Sequence, residues 1–147
     1  MNPLKFFTSL ACAFAAVPLH AQTLTGLWES IDDVSKKPKA QIRLVDEAGV
    51  VRGFVVAGLD PKDKPDAVCS LCSDDRKDKL IVGMTIVRNL RKDKNSEVWS
   101  GGDILDPDNG KVYRAQITLA ADNKSLTMRG YIGTPLLGRS QTWLRIE

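Results

Sequence analysis

Apolar and polar residues alternate over short stretches along most of this chain. Tyr113, Ala115, Ile117 and Leu119 share one face of an extended segment, while Arg114, Gln116 and Thr118 share the other. That is the period-two pattern of a half-buried strand. Ile42 and Leu44 stand in the same relation to Gln41 and Arg43. The pattern predicts strands near Leu24–Glu29, Lys39–Asp46, Val50–Ala57, Leu80–Arg88, Glu97–Leu105, Val112–Leu119, Ser125–Ile132 and Ser140–Ile146. Asp46-Glu47-Ala48-Gly49 and Ala121-Asp122-Asn123-Lys124 read as tight hairpin connections. Asp106-Pro107-Asp108-Asn109-Gly110 reads as a longer one, in which Pro fixes φ and Asn-Gly takes the positive-φ positions. Leu80, Met84, Val87 and Leu90 would also suit a helical stripe, but the β-branched Ile81, Val82, Thr85, Ile86 and Val87 favour a strand.

Antiparallel strands joined by hairpins close most economically into a barrel, which leaves no exposed sheet edge. The expected fold is therefore all-β, an eight-stranded antiparallel up-and-down barrel, with Gly53, Gly83, Gly101, Gly102 and Gly130 at its bends. Gly58–Lys79 breaks the short-loop pattern. It holds Pro61, Pro65, Cys69, Cys72 and many charges of both signs, and a loop of that length is usually functional or disordered.

The N-terminus follows a different pattern. Lys5 precedes an apolar run from Phe6 to Leu19 that only Thr8, Ser9 and Pro18 interrupt. The run is short of the roughly 20 residues a spanning helix needs, and it reads as a secretory signal peptide cleaved after Ala21. A lipoprotein reading at Cys12 fails for want of a large aliphatic residue at Ser9. The expected organisation is a signal segment over 1–21 and one domain over 22–147, exported to the periplasm or secreted. Cleavage removes Lys5, Cys12 and His20, and takes the formal net charge from +3 to +2. With acids and bases interleaved, nothing favours nucleic acid or an anionic membrane, and no transmembrane segment remains.

Loss of His20, the one histidine, excludes Ser-His-Asp, Cys-His and histidine-zinc chemistry within the mature chain. A carboxylate-based enzyme would have to draw on Asp32-Asp33, Asp74-Asp75, Asp103 or Asp106. Such acids in loops are commonly turn formers, so no catalytic residue is assigned and no cofactor or metal is expected. Asp106-x-Asp108-x-Gly110 has part of a calcium-loop spacing but lacks a third side-chain ligand and the distal Glu. Cys69-Ser70-Leu71-Cys72 has three readings. A redox pair would sit at a helix N-terminus, and a zinc site would need a second chain for its remaining ligands. A structural disulfide needs only an oxidising compartment, and contributes about 2 kcal/mol on the loop-entropy account.

Gly26-Leu27-Trp28 and Trp143-Leu144-Arg145 resemble the two ends of a lipocalin-type barrel. The resemblance implies that Trp28 closes one end with Arg145 across it, a cation–π contact of about 0.5–2 kcal/mol. A broader resemblance rests on Gly26-Leu27-Trp28, the Cys69/Cys72 pair, Ile104–Tyr113, Arg129–Gly133, Leu137-Gly138-Arg139 and Trp143. In these the chain is similar to a bacterial exported family known as domain of unknown function 2147. That likeness implies an exported bacterial protein and carries over no activity.

Small eight-stranded barrels are either filled by side chains or hold one small ligand. After cleavage the chain keeps Phe54 as its lone phenylalanine beside Trp28, Trp99, Trp143, Tyr113 and Tyr131. On the last strand Trp143 shares a face with Arg139, Gln141 and Arg145, and periodicity leaves open whether that face points inward. The functional expectation is noncovalent binding of a small amphipathic molecule by Trp99, Tyr113 and Trp143, with Arg139 contacting an anionic group. The alternative is a module for an envelope protein partner, built on the 58–79 loop and the 134–137 tip. There Leu136 and Leu137 either plug the barrel or present a sticky surface.

Overall fold

The computed structural model describes residues 22–147; the expected signal segment, 1–21, lies outside the described residues. Eight antiparallel strands form a closed barrel in sequence order. They are β1 (Gly26–Ile31), β2 (Pro38–Glu47), β3 (Val50–Gly58), β4 (Thr85–Lys92), β5 (Val98–Asp106), β6 (Lys111–Leu119), β7 (Ser125–Tyr131) and β8 (Arg139–Arg145). The barrel closes where Trp28, Glu29 and Ser30 pair with Arg145, Leu144 and Trp143. A 3-10 turn at Pro135–Leu137 is the one helical element among the described residues, and none of them forms a helix able to cross a membrane.

The alternation in β6 is realised: Ala115, Ile117 and Leu119 are buried while Arg114 and Thr118 are exposed. The expected strand over Leu80–Arg88 is displaced. β4 begins at Thr85 and runs on to Lys92, because Gly83 takes φ +87° and Met84 turns back on Ile81 through a 3.0 Å backbone bond. In the Asp106–Gly110 turn Gly110 alone has positive φ, not Asn109.

Up-and-down order puts two kinds of loop at opposite ends. The tight hairpins after β2, β4 and β6 lie at the end that also holds both described chain termini. The connections over residues 32–37, 59–84 and 132–138, which are longer, and the short 107–110 turn gather at the other. The hairpin end is closed by packing. Trp28 is fully buried, its indole Nε1 donates to the Leu24 carbonyl at 2.8 Å, and the Arg145 guanidinium lies 4.2 Å from its ring centroid. Arg145 also donates to the carbonyls of Thr23, Thr25 and Asn123, which ties the N-terminal segment and the β6–β7 hairpin across the barrel end.

The long connection is ordered. Cys69 and Cys72 form a disulfide with a Cα separation of 5.4 Å, and both are buried. Val68 bridges Leu80, and the buried Arg76 guanidinium donates to Asp74 and to the Thr85 carbonyl, fixing the loop to the start of β4. Leu136 and Leu137, on the 3-10 turn, do not plug the barrel: they are 89% and 80% exposed, and Leu137 stands at the edge of the open end.

Candidate functional site

The half of the barrel nearest the long loops is hollow. A cavity of about 1310 Å³ opens at that end. Its floor is Ile42 of β2, Val55 of β3, Ile86 of β4, Met128 of β7 and Trp143 of β8, all buried. A one-residue bulge at Val56 keeps Val55 inward while Val56 is exposed. Ser30 reaches the cavity but spends its hydroxyl on the backbone of Ala40. Gly130 leaves the wall open beside Tyr113, whose Cβ would lie 3.4 Å from a Cβ added at Gly130.

The mouth is polar. Leu59 through Lys64 of the long connection, Lys37, Lys39, Asp106, Asp108 and Arg139 stand around it. Charges of both signs are interleaved there. The 59–67 stretch therefore forms one wall of the mouth, while the disulfide segment packs outside it against the β5–β6 turn. A Cβ at Gly110 would lie 2.0 Å from the Leu71 carbonyl oxygen.

Of the residues expected to bind a ligand, the structure gathers three. Tyr113, Arg139 and Trp143 all border the cavity. The face of β8 shared by Arg139, Gln141 and Trp143 is the inward one, which periodicity left undecided. Trp99 is elsewhere. It lies one residue after the start of β5, opposite Ile117, and is buried at the closed end with the Lys92 ammonium 5.2 Å from its ring centroid. Trp99 is thus part of the packed end, a second indole under a cation as in the Trp28–Arg145 pair.

Arg139 is not a free anion receptor. Its Nε and Nη2 donate to both carboxylate oxygens of Asp33 at 2.7–3.1 Å, and that bond raises its pKa further. Lys39, which the sequence did not single out, pairs with Asp108 at 2.7 Å. Burial pulls its pKa down, but the Asp108 hydrogen bond and the fields of Asp106, Asp108 and Asp32 outweigh this and raise it.

The acids considered for carboxylate chemistry are mostly engaged. Asp74 is bound to Arg76, whose side-chain hydrogen bonds hold its carboxyl down to about 2, and Arg88 lowers that of Asp75. Asp32 accepts the amides of Val34 and Ser35, and Asp106 that of Asp108. Asp103 leaves one buried oxygen without a partner. It is not among the cavity-lining residues. Among the described residues no three His, Cys, Asp or Glu side chains converge on a metal position.

The barrel is similar to a solved structure described as "Protein HP1028 from the human pathogen Helicobacter pylori belongs to the lipocalin family", with a TM-score of 0.72. The two share 16% sequence identity, over 85% of this chain and 84% of that one, so the likeness is one of fold. No curated protein matches the sequence. Residues 26–145 match the family model described as "Uncharacterized protein conserved in bacteria (DUF2147)", and the chain belongs to that family.

Proposed function

We propose that the barrel binds a small amphipathic molecule, apolar part on the floor and polar part at the mouth. The observation that carries this reading is the hollow half-barrel: an apolar floor of Ile42, Val55, Met128 and Trp143 beneath a charged rim. Ligand pockets commonly enclose about 300–1,000 Å³, lined mostly by apolar and aromatic side chains with a few placed polar groups. The barrel's likeness to a lipocalin-family protein supports the same reading. Tyr113 and Trp143 supply the aromatic contacts. Asp33 occupies the Nε and Nη2 donors of Arg139 and already matches its charge, which leaves Nη1 to face a ligand, so a strictly anionic ligand gains less from Arg139 than an unpaired arginine would give.

We further propose export to an oxidising compartment, the periplasm or the exterior, with residues 1–21 as the removed signal. The Cys69–Cys72 disulfide agrees with such a compartment. A second reading, docking of an envelope protein on the 134–137 tip, is favoured by the exposure of Leu136 and Leu137.

Native mass spectrometry of protein purified from its own cell envelope separates the two. Ligand binding gives a small-molecule adduct that denaturation releases, on a chain whose mass begins at Gln22. A polypeptide partner retained in place of any small adduct would favour the docking reading.

A further inference from the structure

Lys39 and Asp108 come from opposite walls of the barrel. Lys39 belongs to β2, whereas Asp108 lies in the turn between β5 and β6; three strand steps separate β2 from β5 one way round and four separate it from β6 the other. An ion pair of 2.7 Å between them has to cross the mouth. Both residues border the cavity.

Each end of this bar is held in place. In the β1–β2 ladder Ser30 pairs with Ala40 but Ile31 pairs with Pro38, so Lys39 is the extra residue of a β-bulge. Bulges re-aim a side chain, and they concentrate at barrel rims. Simple alternation would have turned Lys39 outward with Gln41 and Arg43. Its carbonyl accepts the Leu59 amide at 2.9 Å, which anchors the bulge to the mouth loop. At the other end Asp106 holds the Asp108 amide at 3.0 Å, and the turn is backed by the disulfide segment through the Gly110–Leu71 contact.

We propose that the Lys39–Asp108 pair is a gate bar: a ligand enters or leaves the cavity only when this pair opens. The proposal rests on the reading of the cavity as a ligand site. A gate acts on the rate of exchange in both directions and leaves the equilibrium nearly unchanged. Lys36, Lys37, Lys62 and Lys64 around the mouth do not cross it in this way, since each lacks a salt-bridge partner among the described residues.

Stopped-flow fluorescence with the neutral probe N-phenyl-1-naphthylamine tests this, because an uncharged probe gains nothing from either charge. Lys39→Met and Asp108→Asn should each raise association and dissociation rates together, by up to about fivefold, the most that an exposed ion pair contributes. The dissociation constant should stay within about twofold, since equal effects on both rates cancel. Added salt should speed exchange in the wild type and not in the variants. The charge-swapped chain carrying Lys39→Asp with Asp108→Lys should return to slow exchange. Binding with unchanged rates in both single variants would overturn the gate and leave the cavity reading standing. Absence of binding in every protein, wild type included, would overturn both.

Discussion

Replacing Trp28 with alanine should cost about 3–5 kcal/mol of folding stability, the range for deleting a buried aromatic ring. Trp28 has no exposed surface, and three things depend on it at once. Its ring fills the closed end, its indole N–H satisfies the Leu24 carbonyl, and its face carries the Arg145 guanidinium. Without the ring, Arg145 keeps its bonds to Thr23, Thr25 and Asn123 but covers an empty space. Denaturant unfolding followed by Trp99 and Trp143 emission measures the loss. Because the cavity lies at the opposite end, the folded variant should bind N-phenyl-1-naphthylamine with little change. Lost binding in protein that is still folded would contradict the division of the barrel into a packed half and an open half.

Gly110→Val should destabilise by about 2–5 kcal/mol, from backbone strain at positive φ and overpacking together. Gly110 has φ +70°, and an added Cβ would stand 2.0 Å from the Leu71 carbonyl oxygen and 2.9 Å from the Cys72 nitrogen. Both neighbours are backbone atoms of the disulfide segment, so the turn and that segment have to part. Gly49→Val supplies the comparison: it has φ +82° with nothing within 4 Å, and should show the strain alone. The difference between the two variants in chemical denaturation isolates the contact. Equal losses would show that the disulfide segment does not brace the β5–β6 turn.

The barrel was legible because its signal is local. Alternation marks β6 and β2, and turn residues mark Asp46–Gly49 and Ala121–Lys124. β4 was misplaced because its apolar run continues backward through Ile81 and Val82, while Gly83 and Met84 leave the sheet. The site was harder to read, since its decisive contacts link distant residues. Arg139 read as an available cation, but its partner Asp33 is 106 residues away in sequence. Trp99 and Trp143 look alike in composition; what separates them is position along the strand, one near a tight hairpin and the other at mid-barrel. Lys39 carried no signal at all, because a one-residue bulge is invisible to a period-two pattern.

Filling the cavity and measuring binding tests the central claim most directly. Gly130 faces the hollow half, and a Cβ there would meet nothing nearer than Tyr113 Cβ at 3.4 Å, so Gly130→Phe can direct its ring into free space without breaking β7. Titration with N-phenyl-1-naphthylamine should show saturable binding to the wild type. In Gly130→Phe it should be weaker by more than about tenfold, a difference of about 1.4 kcal/mol, while circular dichroism and unfolding midpoint stay close to wild type. Equal binding by the two proteins would place the ligand outside the barrel and contradict the account.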